Sequence, residues 1–180
     1  MSQSHESQDA GAALRAHIRD VPDYPSPGIM FRDITPLLAS PEAFQQAIEG
    51  LGKLVPSGTE LIAGMEARGF IFGAALAMHL GIGFVPIRKA GKLPAPVNSY
   101  SYDLEYGTAT VELREGTVAP GARVALFDDV LATGGTARAG VALLEQSGAE
   151  VMASVFLMEL NGLGGRDCLG GRAVSSLMTL

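Results

Sequence analysis

The sequence contains a single cysteine, Cys168, which excludes an internal disulfide and argues against a zinc cluster. Cys168 is interpreted as a small, buried or half-buried structural residue. Histidine is also scarce, and His5, His17 and His79 show no metal-ligand spacing. We therefore expect each histidine to be structural, and the low cysteine content indicates a cytoplasmic protein.

Long apolar runs and an excess of basic residues are missing as well. No stretch approaches the roughly 18 apolar residues that a membrane span requires, so no membrane association is expected. Lysine and arginine number 13 against 19 aspartates and glutamates, a net charge of −6. General affinity for nucleic acid needs basic surface, so no nucleic-acid partner is expected. An acidic protein can still contain a locally basic pocket, which leaves an anionic small molecule open as a ligand.

The first residues, MSQSHESQDAG, are polar and small, and they lack the basic and apolar segments of a secretory signal. Residues 1–12 are predicted to be a flexible tail, because disorder concentrates at chain ends. Residues 13–180 suit a single domain that can bury a sizeable core.

Apolar segments of strand and helix length alternate along the chain, which predicts an α/β fold with a mostly parallel central sheet flanked by helices. Residues 13–38 do not fit this sheet and are predicted to form a small hood over its edge. The polar stretch 89–106 has two prolines and no strong period, so we expect either a mobile functional loop or disorder. Predicted helices cover residues 11–19, 40–54, 70–80 and 136–146, and predicted strands cover residues 61–64, 83–88, 108–113, 124–127, 151–157 and 173–178.

The strongest local signal is the segment 124–137, VALFDDVLATGGTA. A buried strand ends in two acids and turns through a glycine pair into a helix, which puts the segment where parallel sheets bind ligands. The glycines allow a tight turn and let an anion approach backbone N–H groups. The helix N-terminus adds the positive end of its dipole, and two threonines add hydroxyl donors. Phosphate binding is therefore predicted for Ala132, Thr133, Gly134, Gly135, Thr136 and Ala137.

Asp128 and Asp129 indicate which class of phosphate-containing ligand the segment would bind. Carboxylates facing a phosphate would repel it, but they can accept hydrogen bonds from sugar hydroxyls while the phosphate lies a few ångströms further along. This arrangement suits a ribose 5-phosphate. The alternative is an ordinary strand–turn–helix junction with capping acids, and neither a Walker-type loop nor a G-x-G-x-x-G motif occurs.

Basic side chains could neutralise further negative charge at the same site. Arg68 lies near the start of a predicted helix, where a cation is unfavourable unless an anion is bound, because the helix N-terminus is already positive. Arg88, Lys89 and Lys92 form a basic cluster at the beginning of the long polar stretch. A solvated surface is the alternative for each of these residues.

The segment 124–137 resembles the phosphoribosyl diphosphate motif of type I phosphoribosyltransferases, and the rest of the chain resembles the adenine-specific branch of that family. The other matching blocks, in the family's order, are PDYPSPGIMFRDITPLL (22–38), IAGMEARGFIFG (62–73), IRKAGKLP (87–94) and YDLEYG (102–107). The resemblance implies the type I phosphoribosyltransferase fold, with a hood and a mobile loop. It also implies transfer of the 5-phosphoribosyl group from 5-phosphoribosyl 1-diphosphate to adenine, which yields AMP and diphosphate.

The resemblance further implies a Mg²⁺ cofactor held mainly by the substrate, and a homodimer. Two alternatives stay open: a phosphoribosyltransferase for xanthine or hypoxanthine, and a non-catalytic regulator that senses phosphoribosyl diphosphate. A regulator of that kind would be expected to carry a DNA-binding domain or a basic face, and this sequence shows neither.

The roles of individual residues also follow from the resemblance. Glu105 would act as a catalytic general base, or alternatively as a clasp that holds the loop closed together with Tyr106. The peptide bond between Glu66 and Ala67 would be cis. The diphosphate would be held by basic side chains, namely Arg68 (also catalytic), Arg88, Lys89 and Lys92. Adenine would meet main-chain groups of Met30 and Arg32, with Phe31 stacked on the ring and Leu160 on the other side of the pocket.

Overall fold

The computed structural model describes residue 11 and residues 13–103 and 107–180. Its helices are α1 (Thr35–Ala39), α2 (Pro41–Gly52), α3 (Arg68–Leu80), α4 (Gly135–Gln146) and α5 (Gly165–Cys168). Its strands are β1 (Arg19–Val21), β2 (Phe31–Asp33), β3 (Leu61–Met65), β4 (Gly83–Lys89), β5 (Val97–Asp103), β6 (Thr108–Arg114), β7 (Arg123–Leu131), β8 (Glu150–Glu159) and β9 (Val174–Thr179).

Strands β3 to β9 form one sheet in the order β5-β6-β4-β3-β7-β8-β9. The neighbouring strands in the part β4-β3-β7-β8-β9 are parallel. Strand β6 pairs antiparallel with both β4 and β5. The predicted α/β fold with a mostly parallel sheet is therefore confirmed. Strand β3 lies between β4 and β7, so the strand order reverses at this point. Ligands of open α/β sheets bind at the carboxyl ends of strands at such a reversal.

Apolar side chains from both faces of the sheet build two buried layers. On β7, Ala125 and Phe127 pack into the layer that contains α2 and α3, whereas Val124 and Leu126 pack into the layer with α4. This alternation follows from the two-residue period of a strand. The sheet is thus flanked by helices on both faces, as predicted.

Helix α2 begins where the sequence predicts. The Ser40 hydroxyl oxygen accepts a hydrogen bond from the Ala43 N–H at 3.2 Å, and Pro41 occupies the first turn, where its missing N–H costs nothing. Helix α3 ends at Gly81, whose φ of 68° is the left-handed conformation that glycine adopts readily.

The predicted helix over residues 11–19 is wrong at its carboxyl end. Residues 13–15 are helical, but Arg19 already belongs to β1, which pairs antiparallel with β2 in a two-stranded sheet of its own. Cross-strand charges stabilise this hairpin, because Arg32 on β2 forms an ion pair with Asp20 on β1. The paired residues are separated by the loop between β1 and β2, and the strands have only three residues each, so the pattern of residues 11–19 does not reveal the pairing. We call residues 19–33 the hood hairpin.

The expectation for residues 89–106 needs a similar correction. Residues 97–103 form β5, an edge strand that pairs along its whole length with β6. Asn98, Tyr100 and Tyr102 are partly buried, while Ser99, Ser101 and Asp103 are exposed. The sequence thus does alternate with the period of a strand, but polar residues occupy both faces and hide the pattern.

No helix among the described residues has the length and apolarity needed to span a bilayer.

Candidate active site

Two adjacent carboxylates, Asp128 and Asp129, lie near the carboxyl end of β7, beside the point where the strand order reverses. Strand β7 does not end before them as predicted, since its pairing with β8 continues through Leu131. Asp128 accepts a hydrogen bond from the Asp129 N–H at 2.9 Å. A side chain on Gly69 would place its Cβ 3.0 Å from Asp128 Oδ1, so the first turn of α3 packs directly on this carboxylate.

Burial makes ionisation of these acids unfavourable. Burial and the nearby charge of Asp129 raise the pKa of Asp128 well above its ordinary value. Burial also raises the pKa of Asp129, and the positive charge of Arg68 opposes this shift. Asp129 is only 4% exposed, and its buried Oδ2 has no hydrogen-bond partner among the described residues. The site therefore contains an acceptor that is ready for an added donor.

Arg68, the first residue of α3, connects the acids to the hood hairpin. Its Nε lies 2.9 Å from Asp129 Oδ2, which makes an ion pair although the N–H is not aligned for a hydrogen bond. Its Nη1 donates to the main-chain carbonyl of Arg32 at 3.4 Å, and its guanidinium lies 5.2 Å from the centre of the Phe31 ring. Asp129 is thus the anion that lies beside Arg68 in this structure.

The turn between β7 and α4 has the geometry of an anion site. Gly134 has a φ of 85°, and a Cβ there would lie 2.6 Å from the Gly165 carbonyl oxygen of α5. The first helical hydrogen bond of the turn runs from the Arg138 N–H to the Gly134 carbonyl, which leaves the earlier N–H groups of α4 available. A small cavity of about 90 Å³ is lined by Asp128 and residues 130–137.

A larger cleft of about 740 Å³ lies next to this turn. It contains both carboxylates, Arg68, Arg88 and Lys89, together with Ala132 and Thr136 of the turn. The structure therefore brings together the predicted sugar, phosphate and diphosphate residues, with the exception of Lys92. Lys92 is exposed and does not line the cleft.

Glu66 organises the basic side of the cleft. Its Oε2 accepts hydrogen bonds from Arg88 Nε at 3.0 Å and from the Lys89 main-chain N–H at 2.8 Å. These bonds hold the pKa of Glu66 below its ordinary value. The peptide bond between Glu66 and Ala67 is cis, as the family resemblance implied. Glu66 compensates part of the charge of Arg88, and Asp129 compensates part of the charge of Arg68, whereas no side-chain ion pair of Lys89 occurs among the described residues.

The predicted base-binding residues lie outside the lining of the cleft. Met30 is 43% exposed, and the Phe31 ring packs edge-on against Tyr24 with 5.1 Å between ring centres. Phe31 and the Arg32 carbonyl reach the cleft only through Arg68. Leu160 follows β8, and its N–H donates to the Leu131 carbonyl at 2.9 Å. Glu105 and Tyr106 lie outside the described residues.

Sequence reasoning assigned no binding or catalytic role to three polar residues that line the cleft, namely Glu66, Tyr102 and Thr110. Tyr102 lies on the edge strand β5, and Thr110 lies on β6, which pairs antiparallel with β5 and β4. The signal that could have found Tyr102 is the alternation of β5, which directs Asn98, Tyr100 and Tyr102 to the same face.

Comparisons with known proteins identify the family of the chain. The family model described as "Phosphoribosyl transferase domain" matches residues 36–167. The adenine phosphoribosyltransferase of Thermobifida fusca is 52% identical over 97% of this chain and 99% of its own length. That of Methylococcus capsulatus is 56% identical over 92% of this chain and 97% of its own length.

Solved structures show the same likeness. The adenine phosphoribosyltransferase of Thermoanaerobacter pseudethanolicus superposes with a TM-score of 0.91 at 48% identity, covering 94% of this chain and 99% of the other. The Saccharomyces cerevisiae enzyme, solved with an imino-altritol bisphosphate and adenine, superposes with a TM-score of 0.88 at 38% identity, covering 94% and 98%. The chain therefore belongs to the phosphoribosyl transferase domain family and, within it, to the adenine phosphoribosyltransferases.

Proposed function

We propose that the protein transfers the 5-phosphoribosyl group of 5-phosphoribosyl 1-diphosphate to adenine and releases AMP and diphosphate, a reaction of purine salvage. The observation that carries the proposal is the buried pair Asp128 and Asp129 directly beside the glycine turn, in a cleft that also contains Arg68 and Lys89. A sugar phosphate with a second anionic group fits this combination of acceptors, N–H donors and cations. The relatives named above favour adenine over xanthine or hypoxanthine, and they favour an enzyme over a regulator.

The sugar phosphate would be bound at two adjoining places. Asp128 and Asp129 would accept hydrogen bonds from the ribose hydroxyls. Asp129 Oδ2 is suited to this, because it is ion-paired with Arg68 but accepts no hydrogen bond among the described residues. The 5-phosphate would be bound by the turn N–H groups, by the hydroxyls of Thr133 and Thr136, and by the positive end of the α4 dipole. Ala132, Gly134, Gly135 and Ala137 would contribute through their backbone.

The diphosphate would be bound on the basic side of the cleft. Arg68 would exchange Asp129 for the diphosphate, and Lys89 and Arg88 would add charge from β4. As the bond to the diphosphate breaks, positive charge develops on the ribose and negative charge on the leaving group. Preorganised charges at both places lower the barrier without rearranging water.

Mg²⁺ is the cofactor that fits this donor set. Carboxylates, ribose hydroxyls and diphosphate oxygens are hard oxygen ligands, and Mg²⁺ usually binds through substrate phosphates and water. Asp128 and Asp129 would hold it through the ribose hydroxyls, and when bound it would neutralise charge on the departing diphosphate. Asp129 Oδ2 is buried and ion-paired with Arg68 but accepts no hydrogen bond among the described residues, so it could accept one from a ribose hydroxyl when Arg68 turns to the diphosphate.

Adenine would enter between the hood hairpin and the cleft. Main-chain groups of Met30 and Arg32 would form hydrogen bonds with the edge of the base. Phe31 would stack on the ring, and Leu160 would line the other side of the base pocket. Arg68 donates a hydrogen bond to the Arg32 carbonyl and lies over the Phe31 ring. Movement of Arg68 to the diphosphate would therefore leave the carbonyl and the ring available to adenine. Glu105, Tyr106 and Lys92 would complete the site from the loop, with Glu105 as general base toward the attacking nitrogen.

The acidic pair provides the test of this assignment. The wild type should form AMP from adenine and 5-phosphoribosyl 1-diphosphate with Mg²⁺, and the double variant Asp128→Asn with Asp129→Asn should lose at least ~10²-fold in kcat/KM for the sugar diphosphate. An exposed acid on β5, changed as Asp103→Asn, serves as the control and should retain activity. Near-normal rates in the double variant would show that these acids do not bind the ribose.

A further inference from the structure

Side-chain hydrogen bonds connect strand β5 to both ends of helix α4. Near the carboxyl end, Asn98 Nδ2 donates to the hydroxyl of Ser147, the residue that caps α4, at 3.0 Å. Near the amino end, the Tyr102 hydroxyl lies 3.3 Å from Thr136 Oγ1. Tyr100, between them on the same face of β5, packs against the apolar layer that contains α4. The strand thus lies along α4 with Tyr102 at the phosphate-binding end.

Thr136 lies where the two cavities meet. It lines both the small cavity of the glycine turn and the larger cleft, and Tyr102 lines the larger cleft beside it. Thr136 is also the second residue of α4, within the open N-terminal turn of the helix. Its hydroxyl, which contacts the phenol of Tyr102, would therefore also be within reach of an anion bound in the turn.

Hydrogen-bond chemistry fixes the direction of this contact once phosphate is bound. A hydroxyl has one hydrogen to donate, and phosphate oxygens only accept. If the Thr136 hydrogen is donated to the phosphate, the bond to Tyr102 requires the phenol as donor and Thr136 Oγ1 as acceptor. Chains of this kind strengthen each member, because each bond polarises the next.

We propose that Tyr102 is a positioning residue for the 5-phosphate, donating to Thr136 so that the Thr136 hydroxyl is held toward a phosphate oxygen. The proposal rests on the assignment of the 5-phosphate to residues 132–137 under the proposed function. Tyr102 acts through Thr136 and does not itself touch the phosphate. It therefore affects binding of the phosphate end of the substrate and leaves the base and the diphosphate alone.

The test is calorimetric binding of ribose 5-phosphate, and separately of inorganic diphosphate, to the intact enzyme. Tyr102→Phe keeps the ring in place and removes the donor. We expect it to weaken ribose 5-phosphate binding by roughly three- to tenfold, the range of one neutral hydrogen bond, and to leave diphosphate binding unchanged. Tyr100→Phe, two residues away on the same face, is the matched control and should leave both affinities unchanged.

A double-mutant cycle separates positioning from general loosening of the strand. Thr136→Val removes the hydroxyl that Tyr102 would position. In the Thr136→Val variant, Tyr102→Phe should therefore cause no further loss of affinity for ribose 5-phosphate. In turnover, Tyr102→Phe should raise KM for 5-phosphoribosyl 1-diphosphate and leave KM for adenine unchanged. Unchanged ribose 5-phosphate binding in Tyr102→Phe, or additive effects of the two substitutions, would overturn the proposal.

These outcomes also distinguish this inference from the proposed function. A wild type that forms AMP while Tyr102→Phe binds ribose 5-phosphate normally refutes the inference alone. A wild type that forms no AMP, while the substitution still weakens ribose 5-phosphate binding, refutes the proposed reaction alone.

Discussion

Asp128 illustrates how a single residue can support function at the expense of stability. It is packed under the first turn of α3 and beside a second carboxylate, and both the burial and the neighbouring charge raise its pKa. The folded protein therefore holds a proton on Asp128 more tightly than the unfolded chain does. Under the proposed function the buried pair would bind the sugar, but ionisation of the pair opposes folding.

This tension predicts a pH-dependent gain in stability for Asp128→Asn. Above about pH 4, the ordinary carboxyl range, the unfolded chain loses the proton before the folded protein does, so rising pH favours unfolding of the wild type. The amide cannot ionise, so the variant should melt at a higher temperature than the wild type at pH 7, and the difference should shrink toward pH 4. Thermal melting across this pH range checks it, with Asp103→Asn as the surface control. A lower melting temperature for Asp128→Asn at pH 7 would contradict the account.

For individual residues, the sequence predicted which residues belong to the candidate site better than it predicted which of them contact each other. The need for an anion beside Arg68 follows from the dipole of a helix N-terminus, and residues 128 and 129 follow from the position of acids near a strand end. That Asp129 itself serves as this anion depends on how β7 and α3 pack together. Such a contact spans about 60 residues of chain and leaves no local trace in the sequence.

Among the elements, the turn between β7 and α4 offers a contrast between two adjacent glycines. Gly134 has a positive φ and no room for a Cβ, because the Gly165 carbonyl and Cys168 lie against it. A Cβ on Gly135 would meet nothing within 4 Å. The first glycine is thus required by the fold, while the second leaves open space where an anion would approach.

The two glycines should therefore respond differently to alanine. Gly134→Ala should reduce the free energy of unfolding by ~1–3 kcal/mol, through backbone strain and the clash with α5. Gly135→Ala should change stability by no more than about 0.5 kcal/mol but should raise KM for 5-phosphoribosyl 1-diphosphate, because the Cβ would crowd the phosphate. Denaturant unfolding and steady-state kinetics of both variants check this. Equal stabilities, or a normal KM for Gly135→Ala, would disagree with the assigned roles.

The elements of the main sheet were predictable because each carries a local pattern. The apolar runs of β3, β4, β7, β8 and β9 mark buried parallel strands, and Ser40 with Pro41 marks the start of α2. The hood hairpin and β5 were not predicted, because β1 and β2 have three residues each and β5 carries polar residues on both faces. Tyr102 of β5 lines the cleft and the hood hairpin reaches it through Arg68, so these parts of the candidate site were less visible in the sequence than the glycine turn.

For the whole molecule, we propose a homodimer, as the family resemblance implies. Light scattering coupled to size-exclusion chromatography should give twice the chain mass of 18.7 kDa. A partner could add charge to the diphosphate site, so dilution to the monomer should lower kcat/KM for 5-phosphoribosyl 1-diphosphate. A mass of one chain at all protein concentrations would contradict the proposal.

The central claim concerns the acceptor, which involves the hood hairpin, the cleft and the loop together. Adenine would be selected by main-chain groups of Met30 and Arg32, so no side chain identifies the base from the sequence. A site that hydrogen-bonds the edge of one base leaves polar groups unpaired with another, and it can discriminate strongly for that reason.

The most direct measurement is the initial rate with adenine, hypoxanthine, guanine and xanthine, each with 5-phosphoribosyl 1-diphosphate and Mg²⁺. The account predicts AMP and diphosphate in equal amounts from adenine, with kcat/KM at least ~10²-fold above that of any other base. Absence of AMP from adenine, or a comparable rate with hypoxanthine or xanthine, would contradict it.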